Sequence, residues 1–193
     1  MSDEATRRIA RLLSGLHGLP EDGLAVRRAV DTDGPALTAL VSAAYDEYRC
    51  GPLDPDVFDA DLATPATAAE GTGRSWWVLL TDLGAGRTVV ASVALGPVGQ
   101  GPDGTPRAEL HRLYLAPAVR GAGLATALVR GVAEEARLAG AAVLEAWSDT
   151  RLGDAHRRYL ALGFSETDER RELGDPAGTT EVLFRLPLET PAP

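Results

Sequence analysis

The sequence holds one cysteine, Cys50, which excludes an internal disulfide framework and a cysteine metal cluster. Its three histidines lack the spacing of a zinc site, so no metal is expected. No apolar run approaches the roughly 20 residues that cross a membrane. The opening stretch, 1–18, mixes Asp3, Glu4, Arg7, Arg8 and Arg11 with scattered leucines, so it lacks the apolar centre of a secretory signal. A reducing, cytoplasmic setting is the expectation. Positive charge is short as well. The net charge is −9, against the basic footprint that nonspecific nucleic-acid binding requires. The acidity aids solubility and mildly favours cationic small molecules or basic peptides as partners.

What is there is ordinary for a globular protein: 193 residues, 45% hydrophobic and 24% charged, enough for one well-buried domain and too few for two. Ile9, Leu12, Leu13 and Leu16 recur at helical spacing and predict a first helix within 2–17. Residues 24–29 read as a short strand. Asp31 to Pro35 then opens a helix through about Tyr48. A second helical stretch is expected at about 55–63, and a small-residue loop at 63–73. Residues 75–81 and 88–95 are β-type runs joined by a hairpin signal at 82–86. Residues 96–106 read as a loop and 107–115 as a third strand. Leu124, Leu128 and Val132 mark a strong amphipathic helix over 120–140, ended by Gly140. A buried strand (142–147), a short helix (154–162) and a final strand (179–186) follow. This order predicts an α/β domain with a mixed sheet, in which 107–147 forms a parallel crossover.

The most informative segment runs from Leu113 to Thr126, where a strand ends and a glycine-containing turn opens the long helix. Glycine lets the backbone approach a ligand, and the helix start offers unpaired N–H groups at its positive end. That geometry suits a pyrophosphate, to which Arg120 adds charge and Thr126 a hydroxyl; a plain tight turn is the bland alternative. A Walker A loop is excluded for lack of Gly-Lys-Ser/Thr. Gly121, Gly123 and Thr126 partly imitate a dinucleotide fingerprint, with Glu145 on the next strand as its acid. The third glycine is missing, however, and no further βαβ units follow.

Arg120-Gly-Ala-Gly-Leu-Ala125 matches the pattern Q/R-x-x-G-x-G/A, and Ala155-His-Arg-Arg-Tyr-Leu-Ala-Leu-Gly-Phe164 matches A-x-x-x-Y-x-x-x-G-F. Together, with a strand between, these segments make the chain resemble the GNAT superfamily of N-acetyltransferases; the clear likeness covers about 107–186. The resemblance implies an α/β (α+β) fold with a twisted mixed sheet, splayed into a V at two parallel strands and flanked by helices. It further implies an N-terminal helical extension (1–20), an acetyltransferase domain (21–188) and a tail (189–193). It implies acetyl-CoA as cosubstrate, with no metal, and direct transfer of the acetyl group to a primary amine. The pantetheine arm would lie along Leu113, Tyr114 and Leu115. The pyrophosphate would lie over Arg120, Gly121, Ala122, Gly123, Leu124, Ala125 and Thr126. Tyr159 would be the general acid toward the leaving thiolate.

Glu109 sits eleven residues before Arg120, as the catalytic glutamate of the histone-acetylating branch does before its glutamine, and is the candidate base. His111 and His156 also titrate near neutrality. Asp149 and Glu145 are candidates for holding the acceptor amine, and Trp76, Trp77 and Trp147 for lining its pocket. Where many relatives carry Asn, three residues before Ala155, this sequence has Leu152, with Ser148 or Thr150 as possible substitutes. The acceptor, a small-molecule or peptide amine, is not readable. The resemblance implies a monomer or homodimer. A non-catalytic CoA-binding module and a nicotinamide-dependent oxidoreductase are the competing readings.

Overall fold

Trp76, Trp77, Val78 and Leu79 are all buried, so the strand that carries them has a core on each of its faces. That strand is β2 (Ser75–Asp82). Trp77 and Leu79 point into one apolar cluster, Trp76 and Val78 into another. The two clusters place helices on both sides of a sheet.

The computed structural model describes residues 4–16, 24–82 and 86–189. The tip of the expected hairpin (83–85), parts of the N-terminal extension (1–3 and 17–20) and the end of the tail (190–193) lie outside the described residues. In chain order the elements are α1 (Glu4–Leu13), β1 (Ala25–Arg28), α2 (Gly34–Tyr48), α3 (Pro65–Thr72), β2, β3 (Arg87–Leu95), β4 (Gly99–Gln100), β5 (Pro106–Leu115), α4 (Leu124–Leu138), β6 (Val143–Asp149), α5 (Gly153–Ala161), β7 (Ser165–Glu172) and β8 (Thr180–Pro187). The sheet runs β1-β2-β3-β5-β6-β8-β7, with β4 paired to β5. Only β5 and β6 are parallel among the described pairs. Their ladder covers just 107–109 against 143–145, while β5 continues beside β3 to Leu115. The sheet therefore opens into a V beyond Glu109.

Several elements differ from the sequence expectation, among them the short strand β4 inside the loop expected at 96–106. The helix expected at 55–63 is a set of turns with a 3₁₀ turn at Ala60–Leu62, and the expected loop at 63–73 contains α3. The helix start at α3 is capped from a distance: the Asp31 carboxylate accepts from the N–H groups of Ala66 and Thr67 and from the Thr67 hydroxyl. A cap 35 residues away leaves no local signal. Strand β7 was not expected either. Its sequence, SETDERRE, contains no apolar residue and is almost wholly exposed, as suits a charged edge strand.

Helix α1 is part of the core. Ile9 and Leu13 are buried, and Ile9 lies so close to α4 that a methyl group on Gly131 would come within 3.0 Å of it. Arg8 pairs with Glu135 at 2.5 Å, and the Thr6 hydroxyl accepts from the Trp77 indole. No helix among the described residues is long and apolar enough to cross a membrane.

Candidate active site

β5 carries one residue more than β3 across their shared ladder, for Ser92 faces Tyr114 while Ala94 faces His111. The extra residue forms a bulge in which Arg112 adopts φ 51°, a left-handed conformation that costs a non-glycine residue about 1–2 kcal/mol. The strain is held by several contacts. The Arg112 guanidinium donates to Asp59 at 2.8 Å, to Asp61 at 2.5 and 3.1 Å, and to the Phe58 carbonyl. The Arg112 carbonyl accepts from the Ser92 hydroxyl, which in turn accepts from the Trp76 indole. The bulge sits where the V opens, and it re-aims the backbone from Leu113 onward.

On one side of the V lies a cleft of about 420 Å³. Its floor is Leu113, Tyr114 and Leu115, and its far end is the turn residues Arg120, Gly121 and Gly123 with Leu124 and Ala125. Ala122 and Thr126 belong to the same turn but do not line the cleft. Gly121 and Gly123 both have positive φ, 85° and 81°, which explains their identity. Helix α4 itself begins only at Leu124, and no side chain caps it, so its first N–H groups face the cleft without an intrahelical acceptor. An anion fits that end. Arg120 donates to Glu47 at 2.7 Å and to the Leu115 carbonyl, so it also ties α2 to the turn. Sequence reading missed Tyr48 and Asp154, which meet at 2.6 Å within the same cleft, and Arg157 and Arg158. The adjacent arginines inside the tyrosine motif were the available signal.

On the other side is a more polar cavity of about 490 Å³. It brings together Glu109 and His111 from β5, Trp147 and Asp149 from β6, and Arg171 and Glu181 from the β7–β8 pair. Leu113, Tyr114, Leu152, Ala155 and Tyr159 line both cavities, so the two spaces meet at these residues. Leu152, at the start of α5, puts an apolar side chain at this junction. Ser148 is engaged with His156, at 3.2 Å, rather than with the cleft.

Tyr159 is buried against Phe164 and Phe184. Burial raises its phenol pKa, with the neighbouring Tyr114 and Glu181 adding to the shift; it therefore keeps its proton at neutral pH. Glu109 is pushed up by burial; Arg171 and Arg74 oppose the shift and Glu181 and Glu145 reinforce it. Its carboxylate lies 3.4 Å from His111 Nδ1 and 3.9 Å from Arg171. Burial, helped by Arg74, Arg112 and Arg171, lowers the His111 pKa to about 3, so this imidazole stays neutral.

Other candidates are drawn elsewhere. Glu145 accepts from Arg107 at 2.5 Å and Arg185 at 2.8 Å and lines neither cavity. Trp76 and Trp77 are buried in the sheet, and only Trp147 reaches the polar cavity, stacked under Arg171 at 4.4 Å. Cys50 is buried and its thiol raised to about 11 by burial and Asp149, which removes it as a nucleophile at neutral pH.

An open mixed sheet, split at the one parallel pair among its described strands beside a glycine turn and a buried tyrosine, is the architecture of an acetyltransferase fold. The chain belongs to the acetyltransferase (GNAT) family, whose sequence profile matches residues 37–164. It is 34% identical to N-acetyltransferase 8F1 of Rattus norvegicus over 134 residues, 69% of this chain and 57% of that one. The chain thus spans less than two thirds of that relative's length. Among solved structures, it shares its fold with a GNAT-family acetyltransferase from Staphylococcus aureus (TM-score 0.68, 12% identity, 86% and 100% of the two chains). It shares it also with a phosphinothricin acetyltransferase from Sinorhizobium meliloti in complex with acetyl-CoA (TM-score 0.63, 20% identity, 86% and 88%).

Proposed function

We propose that the protein transfers an acetyl group from acetyl-CoA to a primary amine by direct attack within a ternary complex. The observation that carries this reading is the position of Tyr159, a buried, protonated phenol lining both the cleft with the glycine turn and the polar cavity. In the cleft, the uncapped start of α4 and the paired positive-φ glycines suit the pyrophosphate of acetyl-CoA. The apolar wall along Leu113–Leu115 suits the pantetheine arm, and the thioester then reaches the junction. The fold-mate from Sinorhizobium meliloti holds acetyl-CoA. A dinucleotide cofactor is disfavoured, because a sheet with a single parallel pair among the described residues does not form the doubly wound half that binds one.

The polar cavity receives the amine. An ammonium has no lone pair, so a proton must leave first or during attack. Glu109, with its raised pKa and its place on the cavity wall, accepts it directly or through one water. His111 is too weakly basic for that task. The amine nitrogen then forms a bond to the thioester carbon, and the electron pair moves onto its oxygen. Backbone N–H groups re-aimed by the Arg112 bulge, near Leu113, stabilise this oxyanion. When the intermediate collapses, the carbon–sulfur bond breaks, Tyr159 donates its proton to the departing thiolate, and the nitrogen gives up its remaining extra proton, directly or through water, to restore the phenol, so that a neutral amide and the CoA thiol leave.

Calorimetric titration with acetyl-CoA, with NADH as control, tests the first step. Saturable binding of acetyl-CoA alone is expected, followed by CoA release on adding amines. Failure of folded protein to bind acetyl-CoA overturns the proposal. Binding without release by any amine favours a non-catalytic CoA-binding module instead.

A further inference from the structure

The polar cavity carries more negative charge than its own arginines neutralise, and the excess describes the acceptor. Asp59 and Asp61 are matched by Arg112 and Arg74. Asp149 is held by Arg151 from outside the cavity, at 2.7 Å. Glu181 takes Arg171 at 2.6 Å, leaving Glu109 only a 3.9 Å approach to the same guanidinium. Asp54 accepts only backbone N–H groups, from Asp56 and Val57. Asp175 accepts from the N–H and hydroxyl of Thr179, and its pKa is lowered, with the Thr179 contacts and Arg151 outweighing burial. Seven carboxylates thus face four guanidiniums, Arg151 included. Glu109, Asp54 and Asp175 are left without a close cation of their own. They share the cavity with the phenol of Tyr159, which is only 6% exposed and has no hydrogen-bond partner among the described residues.

We infer that the acceptor is a small aliphatic amine bearing a second positive charge and no carboxylate, a diamine or polyamine in chemical class. One nitrogen, deprotonated through Glu109, would meet the thioester beside Tyr159. The second ammonium would lie toward Asp54 or Asp175. Excess charge of one sign in a walled cavity concentrates ligands of the other sign and orients them. An amino acid used as acceptor would bring its carboxylate into this same excess and be repelled. The inference rests on acetyl transfer as the reaction.

The test measures CoA release at saturating acetyl-CoA with three acceptors of similar length: 1,4-diaminobutane, 1-aminobutane and 4-aminobutanoate. The expected result is kcat/KM for the diamine roughly tenfold or more above that for the monoamine, the scale of one well-placed ionic contact. The amino acid should fall lowest. Raising the salt concentration, or making the double variant Asp54→Asn and Asp175→Asn, should compress the ratio of diamine to monoamine. Comparable values for all three, or a preference for the carboxylate-bearing amine, overturn the inference and leave the transferase reading intact. No release from these or any other amine strikes at acetyl transfer itself, and the inference falls with it.

Discussion

The two cavities that meet at Tyr159 are built on opposite plans. The proposed cofactor side is built around a strand, a turn with two positive-φ glycines and an uncapped helix start, contiguous in sequence from Leu113 to Ala125, with residues of α2 and α5 closing it. The proposed acceptor side is rich in charged side chains, brought from the segment after α2, from β5 and β6, and from the β7–β8 pair. A site proposed to hold a pyrophosphate and a pantetheine arm can draw on a local stretch, because backbone N–H groups at a turn and a helix start suit such a ligand. A site that must distinguish one amine from another is assembled from side chains on elements far apart in the chain. The Arg112 bulge belongs to both, since its backbone shapes the cleft floor while its guanidinium anchors the segment around Asp59 and Asp61.

The largest expected effect breaks that shared element. Arg112→Leu would strand Asp59, which is 5% exposed, without its guanidinium and leave Asp61 only the 3.6 Å approach of Arg74. Removing one partner of a buried ion-pair set costs roughly 3–5 kcal/mol. For a chain of this size that is a fall in Tm of about 6 °C or more, read by thermal denaturation. A Tm within a degree of the parent would mean that the bulge holds without its clamp. Next, Gly123→Glu attacks the cofactor side alone. It forces a side chain into φ 81°, with Leu16 3.4 Å from its Cβ, and sets a carboxylate at the start of α4. Backbone strain and like charge act together. Acetyl-CoA affinity should fall by about 100-fold or more, consistent with losing about 3 kcal/mol. Unchanged affinity by calorimetry would remove the pyrophosphate from this turn.

The same contrast governs what the sequence made legible. The glycine turn, the strand before it and the tyrosine helix all carry local pattern, and so does the parallel crossover, which the sheet contains. Burial of Trp76 and Trp77 follows from the apolar run in β2. The elements that escaped lack a local cause. Helix α3 depends on Asp31 for its cap, and β7 is held as an edge strand by β8 rather than by any apolar alternation of its own. Arg112 looked like an ordinary strand residue, because the carboxylates that hold it lie some 50 positions earlier. Glu145, adjacent to the parallel ladder, looked like a ligand-binding acid, but Arg107 and Arg185 claim it. Charge partners across a sheet cannot be read from spacing.

Tyr159→Phe tests the junction itself. The variant removes a hydroxyl without altering the ring packing against Phe164 and Phe184, so folding stability should change little. Loss of a general acid lowers kcat by roughly 100-fold or more, with acetyl-CoA affinity preserved. A thiol leaving group of lower pKa, as in an activated acyl thioester, needs less help and should narrow the deficit. If kcat stays at the parent value, the proton for the thiolate comes from elsewhere, and the two cavities share a wall without sharing chemistry.

The smallest expected effect is the most specific to the acceptor side. Glu109 has its pKa raised in the folded state, chiefly by burial, so folding favours its protonated form. Its contribution to stability is therefore present at low pH and lost as pH rises through the folded pKa. Glu109→Gln, which keeps the shape and removes the titration, should make the protein slightly more stable than the parent at pH 7. Activity should move the other way. A base works only when ionised, so the parent rate climbs with pH through the Glu109 pKa, and the variant should lose that limb and roughly tenfold in kcat/KM on the plateau. The pairing of a higher Tm with a flattened acid limb distinguishes a carboxylate kept for catalysis from one kept for packing. A lower Tm with an unchanged pH profile would assign Glu109 to the ionic framework around Arg171 and leave the amine to lose its proton before it reaches the cavity.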